Sequence, residues 1–371
     1  MRVVIGTGGT AGHIFPALAT AERLRDGIHA DVLFVGRDQG QEAAIVPAAG
    51  FALQTVEALP FVRKLSPAML RAPATALRAA RRCRSIVRGA DVVLGMGGYV
   101  SVPVSLAARW ERVPLVLHEQ NAVPGLANRV AARWARVVAL SFGEAARRLP
   151  RRARTVVTGN PVRERIVGIP ERRAELRPAA LEAFGLRSER RTVVIFGGSQ
   201  GALRLNRAAA GACGLLAGRR DLQVVLISGP AHEDAVRADL PGPGSLEVRV
   251  LGFAERMELV YAAADLMVAR AGATTVAEIS VCGLPALLVP YPHATGGHQE
   301  ANARALERAG GAAVVADQDL TPQRLAERIE ALIDHRERLD AMARASASFG
   351  RPHAADDLAR LTARVGAGAR R

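Results

Sequence analysis

Short runs of consecutive apolar residues alternate with longer stretches of helical period along this chain. Val3-Val4-Ile5, Val32-Leu33-Phe34-Val35, Val92-Val93-Leu94, Leu115-Val116-Leu117 and Val137-Val138-Ala139-Leu140 are such runs, separated by segments like Ile14 to Arg25. Continuous apolar strands with helices between them predict a parallel sheet buried on both faces, because each crossover helix covers one face. The pattern restarts behind the charged stretch Arg187 to Arg191, with Thr192 to Phe196, Val224 to Ile227, Val248-Arg249-Val250, Leu266-Met267-Val268 and Ala286 to Val289. Two successive βα series predict an α/β protein of two Rossmann-like halves, and 371 residues is a length for two domains. The boundary is expected between Pro161 and Arg190, and roughly the last 50 residues read as two helices broken at Gly350-Arg351-Pro352.

Glycines follow three of the strands. Gly6-Thr7-Gly8-Gly9-Thr10-Ala11-Gly12, Gly95-Met96-Gly97-Gly98-Tyr99 and Gly197-Gly198-Ser199-Gln200-Gly201-Ala202 each connect a strand to a helix. Glycine lets backbone come close to a ligand, and a helix N-terminus offers unpaired N–H groups to an anion. Gly6, Gly8 and Ala11 fit G-x-G-x-x-A, with Asp38 after the second strand, which alone suggests a dinucleotide site. Three loops in two halves exceed one such unit and suit a cleft at the carboxyl ends of both sheets. Behind Leu266-Met267-Val268, Thr274 and Thr275 are expected to cap a helix whose first turn holds a pyrophosphate. Glu278, one turn on, suits a ribose diol; the competing reading is a solvated glutamate favoured by the helix dipole.

Composition narrows the field. Hydrophobic residues at 49% and charged residues at 23% exclude a disordered or collagenous chain. No apolar run reaches the roughly 18–20 residues that span a bilayer, and Met1-Arg2 enters the first strand with no signal-peptide pattern. Cys83, Cys213 and Cys282 lie far apart without CxxC spacing, which fits a reducing cytosol and neither a disulfide scaffold nor a zinc site. The net charge of +15, with Lys64 the only lysine, directs attention to anionic partners: nucleic acid, an anionic membrane or a phosphorylated substrate. Aromatics at 4% leave few rings for stacking bases, so nucleic acid is disfavoured. A nicotinamide-dependent dehydrogenase, a UDP-sugar epimerase and a glycolipid glycosyltransferase remain as alternatives.

Taken together the motifs resemble the MurG family of UDP-N-acetylglucosamine-dependent N-acetylglucosaminyltransferases. Gly8-Gly9-Thr10-Ala11-Gly12-His13, Gly95 to Ser101, His118-Glu119-Gln120-Asn121, Gly159-Asn160-Pro161-Val162-Arg163, Gly197 to Ala202, Ala271 to Glu278 and His298-Gln299-Glu300-Ala301-Asn302 stand in the family's order, from about Val3 to the last helix. The resemblance implies a GT-B fold, two Rossmann-like domains with parallel sheets facing across a cleft. It implies a first, acceptor-side and membrane-facing domain over residues 1–162 and a UDP-GlcNAc domain over 163–349, with helix 350–368 packing back on the first. It implies inverting transfer of GlcNAc from UDP-GlcNAc to the 4-hydroxyl of MurNAc in lipid I, giving lipid II, by a peripheral protein on the cytoplasmic face of the inner membrane. Proteins of cell-wall synthesis and division are implied as further partners, and nucleic acid is not.

Residue by residue, the resemblance makes Glu278 the ribose acid and Ala273, Thr274, Thr275, Val276 and Ala277 the helix start at the phosphates, with Ser199 and Arg163 near the diphosphate. Phe253 and Ala254 match the segment that reads uracil. Asn121, His298 and Gln299 match contacts to the sugar, and Thr10, Ala11 and Gly12 the loop at sugar and acceptor. A sugar hydroxyl needs a general base; His13 is the candidate and Glu119 the alternative, although hydrogen bonding that orients its loop is the favoured reading of Glu119. No metal-ligand cluster is evident and no cofactor is expected, so helix ends and Arg, Ser and Thr donors are expected to meet the charge of departing UDP. Residues 58–90 carry eight basic side chains and no acid; Leu70 and Leu77 fall among Arg71, Arg78 and Arg81, the pattern of a patch for anionic lipid. A solvated basic face is the competing reading.

Overall fold

The computed structural model describes residues 1–56, 67–198, 201–240, 242 and 244–368, with residues 67–76 described as backbone. The chain divides into two compact units, Met1–Arg163 with Arg351–Arg371, and Glu164–Gly350.

Among the described residues the first unit holds strands β1 (Arg2–Gly6), β2 (Asp31–Gly36), β3 (Ala52–Thr55), β4 (Val92–Gly95), β5 (Leu115–Glu119), β6 (Val137–Leu140) and β7 (Thr155–Val157). They pair in the order β3-β2-β1-β4-β5-β6-β7, parallel throughout. Alternate residues of β1 serve opposite cores: Val3 and Ile5 pack with Ile14, Leu24 and Phe34, whereas Val4 packs with Cys83, Val87 and Val104. That two-sided burial is why the run is apolar without alternation. Helix Ala354–Gly368 places Leu358 and Ala359 in the core of Val3 and Ile5, so the chain's end completes the first unit.

The second unit holds β8 (Arg191–Phe196), β9 (Leu222–Ile227), β10 (Glu247–Leu251), β11 (Leu266–Ala269), β12 (Ala286–Leu288) and β13 (Ala312–Val314), in the parallel order β10-β9-β8-β11-β12-β13. Val193 and Ile195 pack against Leu205, Leu325 and Ile329 of flanking helices. The C-terminal region differs from the expected helix pair: it forms three helices, Pro322–Ile333, Arg336–Phe349 and Ala354–Gly368. The additional break follows Asp334, whose carboxylate is held 2.6 Å from Arg219, and His335 leaves helical backbone geometry. All three cysteines are free and buried, and burial pushes the Cys83 and Cys213 thiols up to about 12.

Candidate active site

In each sheet the strand order reverses once, between β1 and β4 and between β8 and β11. Loops leaving the carboxyl ends of such a pair diverge to opposite faces and open a crevice, the usual ligand site of an open α/β sheet. The glycine loops emerge there: Thr7 to Thr10 after β1, Met96 to Val100 after β4, Gly197 onward after β8, and Arg270 to Gly272 after β11.

In the first unit these loops support one another. Gly98 has φ +77°, and a Cβ there would overlap the carbonyl oxygen of Gly8, so only glycine lets the two turns approach this closely. Beneath them lies Glu42, fully buried at the start of helix Glu42–Ala48. Its carboxylate accepts from the backbone N–H of Arg37 at 3.0 Å and of Gly9 at 3.4 Å, and Gln41 accepts from Ala11 N–H at 3.1 Å. Sequence reasoning missed Glu42 and chose exposed Asp38 as the acid after the second strand; the available signal was a single acid opening an otherwise apolar helix. His13 stands in the first turn of helix Ala11–Ile28, with Nδ1 3.2 Å from Gln120 Oε1.

The strand-end segment His118-Glu119-Gln120-Asn121 is almost wholly buried apart from Asn121. His118 Nε2 donates to the Gly159 carbonyl at 3.0 Å, and burial brings its pKa down to about 4, so it is neutral near pH 7. Glu119 is 2% exposed. It accepts from Asn121 N–H (3.0 Å), Asn121 Nδ2 (3.4 Å), Gly125 N–H (3.1 Å) and Asn128 Nδ2 (2.8 Å). Burial raises its pKa, opposed by those donors. Four bonds occupy both oxygens and tie the 121–125 loop and the helix Leu126–Ala131 that follows it to β5. Arg163 lies in the first unit, its guanidinium 4.4 Å above the Phe15 ring.

In the second unit, helix Ala273–Val281 begins at the end of β11 with Gly272 as N-cap. Thr274 and Thr275 therefore occupy the second and third helical positions and are not caps; the N-cap has no side chain, so a cap bond is not what starts the helix. Ala273, Thr274, Thr275, Val276 and Ala277 form its opening turns. Glu278 is not the solvated glutamate of the competing reading: it is 5% exposed, and Tyr261 donates to its Oε2 at 2.7 Å. Arg270 is buried and donates to Asp317 Oδ1 at 2.6 Å and to the Val289 carbonyl at 3.1 Å, which fixes the loops after β11 and β12 to each other. Asn302 donates to the Ala271 carbonyl at 3.1 Å.

Gln299 Oε1 accepts from Tyr291 N–H at 2.9 Å, so N–H donors are what this amide offers a ligand. His298 Nδ1 donates to the Thr295 carbonyl at 2.7 Å, and burial lowers its pKa. Phe253, 59% exposed, and Ala254 follow β10. Thr10, Ala11 and Gly12 open the first helix of the chain. Ser199 lies outside the described residues. Among the described residues no group of three or more His, Cys, Asp or Glu is placed to hold a metal ion.

On the first unit's surface, helix Pro67–Val87 buries Ala80, Cys83 and Val87 and exposes Leu77, Arg78 and Arg81. The side chains of Leu70 and Arg71 lie outside the description. Sequence reasoning missed Trp110, which is 38% exposed and lines one recess with Leu77, Arg81 and Arg84. It also missed Glu111, which pairs with Arg84 at 2.5 Å and Arg88 at 3.1 Å and offsets part of the basic run. Both come from the neighbouring helix–loop, beyond the reach of a single helical wheel. Among the described residues no helix is long and apolar enough to cross a membrane.

Residues 3–140 match the model of the glycosyltransferase family 28 N-terminal domain, and residues 192–358 that of its C-terminal domain. A protein of Halothermothrix orenii, named a UDP-N-acetylglucosamine--N-acetylmuramyl-(pentapeptide) pyrophosphoryl-undecaprenol N-acetylglucosamine transferase, is 41% identical over 97% of this chain and 98% of its own. A Moorella thermoacetica protein of the same name is 44% identical over 95% and 96%. Among solved structures, Acinetobacter baumannii MurG superposes with a TM-score of 0.79 at 30% identity, over 98% of this chain and 99% of that one. The S. aureus MnaA–UDP structure, at 13% identity over 96% and 95% with a TM-score of 0.69, shares the fold.

Proposed function

This chain belongs to the MurG family within glycosyltransferase family 28, and from that premise we propose how its own residues carry the reaction. The protein is an N-acetylglucosaminyltransferase with a GT-B fold. It moves GlcNAc from UDP-GlcNAc to N-acetylmuramyl-(pentapeptide) pyrophosphoryl-undecaprenol, lipid I, in peptidoglycan synthesis. The observation that supports the assignment of roles is the placement of four motif loops at two sheet switch points, His13 at one and Glu278 at the other.

On the donor side, Glu278 accepts hydrogen bonds from the ribose hydroxyls while Tyr261 holds its other face. Backbone N–H groups of Ala273, Thr274 and Thr275 meet the diphosphate with the helix dipole behind them, and Ser199 and Arg163 add donors. The backbone at Phe253 and Ala254 reads the base, and Ala277 lies beside the nucleotide; Val276, expected from the sequence to touch the ligand, is fully buried and instead anchors the helix that presents these groups. Asn121, oriented by Glu119, and the amide of Gln299 with His298 contact the GlcNAc hydroxyls and acetamido group. On the acceptor side, Thr10, Ala11 and Gly12 shape the sugar site and His13 is the base. Its ring takes the proton of the 4-hydroxyl of MurNAc as that oxygen bonds to C1 of GlcNAc. The C1–O bond to the diphosphate breaks with its electron pair leaving on UDP, and C1 inverts. Glu119 acts by holding the loop.

The protein works at the cytoplasmic face of the inner membrane, bound peripherally through Leu77, Trp110, Arg78 and Arg81; the same lipid-binding role is assigned to Leu70 and Arg71 from the sequence alone. Apolar side chains ringed by arginine suit a surface of anionic lipid. Proteins of cell-wall synthesis and division are the further partners this location brings near.

A paired substitution separates the two roles. Glu278→Ala should weaken UDP binding about 10–150-fold, the loss of hydrogen bonds from a charged group worth roughly 1.5–3 kcal/mol. His13→Ala should leave that affinity alone and lower kcat about 10²–10⁴-fold. Calorimetry and steady-state kinetics read both; unchanged UDP affinity in Glu278→Ala, or unchanged kcat in His13→Ala, removes that residue from its role.

A further inference from the structure

We infer that Gln120 is a positioning residue that holds His13 in the Nδ1–H tautomer and so makes Nε2 the basic nitrogen; its catalytic meaning rests on the reading of His13 as the base. Gln120 follows directly on β5, is buried, and makes two bonds that together leave one arrangement. Its Nε2 donates to the Met96 carbonyl at 2.7 Å. A carbonyl only accepts, so the amide nitrogen must face Met96; the flipped amide would set two acceptors against each other at that distance. Oε1 is thereby directed at His13 Nδ1, 3.2 Å away. An amide oxygen also only accepts, so Nδ1 carries the proton, and a neutral imidazole with its proton on Nδ1 has its lone pair on Nε2.

The surrounding backbone keeps this chain of bonds in place. Met96 N–H donates to the Gly6 carbonyl at 2.9 Å, which ties the acceptor of the first bond to the β1–β4 pair. His13 N–H donates to the Thr10 carbonyl at 3.0 Å, and Thr7 Oγ1 donates to the His13 carbonyl at 3.2 Å. Gly97, at φ +83°, leaves room for the pair: a Cβ there would come within 3.2 Å of the His13 ring and 3.4 Å of Gln120 Oε1. The sheet's switch point thus sets the Met96 carbonyl, the carbonyl sets the Gln120 amide, and the amide sets the histidine. When Nε2 takes the acceptor's proton, as the new C1–O bond forms and UDP leaves with the old one's electron pair, the Nδ1–H bond to Gln120 supports the imidazolium. The opposite tautomer carries a proton on Nε2 and cannot accept another there.

The test uses the full chain labelled with ¹⁵N-histidine and no substrate. Long-range ¹H–¹⁵N spectra above the ring's titration should show His13 with a protonated Nδ1 and an unprotonated Nε2 in the wild type. That pattern should be lost in Gln120→Met, whose kcat should fall about 10–100-fold while the KM for UDP-GlcNAc stays within roughly twofold. Gln120→Glu keeps an acceptor toward the ring, loses the N–H that Gln120 gives the Met96 carbonyl, and adds a negative charge beside the ring. The His13 titration in the same spectra should then move up by about 1–3 pH units, and the acidic limb of kcat/KM with it. Wild-type His13 with its proton on Nε2, or a His13 titration unmoved in Gln120→Glu, overturns the proposal. Because the spectra need no turnover, this outcome is separate from failure of the base reading, which shows as wild-type kcat in His13→Ala.

Discussion

His118 couples the first unit's stability to pH. Its pKa falls from 6.5 to about 4 because burial penalises the imidazolium more than the Gly159 carbonyl helps it. Between those values the unfolded chain binds a proton that the native site refuses, so stability drops as pH falls through the window and is fully present above about 6.5. The drop is about 3 kcal/mol at 1.36 kcal/mol per pH unit. Glu119 beside it works in the opposite sense, since its raised pKa favours the native state as pH falls. A His118→Leu variant separates them: between pH 6.5 and 4 the wild type should lose about 3 kcal/mol more than the variant does. Both tryptophans, Trp110 and Trp134, lie in the first unit, so fluorescence-detected urea unfolding reads that unit. Parallel stability–pH curves for the two proteins would contradict the assignment.

The loop-to-loop contact of Gly98 and Gly8 is the element-scale feature on which the first switch point depends. Gly50 has nearly the same backbone, φ +78°, with nothing within 4 Å of a Cβ, whereas Gly98 at +77° has the Gly8 carbonyl in the way. Alanine at either position pays a left-handed backbone cost of about 1–2 kcal/mol. Gly98→Ala should destabilise the first unit by roughly 2 kcal/mol more than Gly50→Ala and lower kcat at least about tenfold, since the loop that carries Thr10 must move. Equal melting temperatures and activities would mean that the contact carries no strain. The strands and glycine loops were legible in the sequence because interior strands buried on both faces must be apolar without a break. The strands the pattern missed, β3, β7 and β13, all lie at sheet edges. Edge strands are covered on fewer sides: β7 is exposed at all three residues, and β3 carries Gln54 and Thr55. The burial of Glu42 left a trace in the sequence, but its bond to the Gly9 turn and the orientation of Gln120 were not legible, since Gly9 and Met96 lie more than twenty residues from their partners.

At the scale of the whole molecule, the motifs in their order identified the family, while the charge of +15 said only that anions attract the protein. Where that charge acts is a question of surface, and the paired Arg84 and Arg88 show that counting residues 58–90 overstated it. Leu77→Ser/Trp110→Ser should weaken sedimentation with anionic vesicles, at about 1.5–3 kcal/mol for each apolar side chain withdrawn from lipid, and leave UDP-GlcNAc affinity unchanged. Salt should weaken wild-type binding as well, with screening beyond roughly 8–10 Å. Wild-type sedimentation by the double variant would make the patch a solvated face. The most direct test of the central claim is transfer of labelled GlcNAc from UDP-GlcNAc to a lipid I analogue, run in EDTA. The account predicts label in the lipid product with one UDP released per sugar moved, and none without acceptor. Label that stays water-soluble, as free sugar or as an epimer of UDP-GlcNAc, with the acceptor untouched, would contradict it.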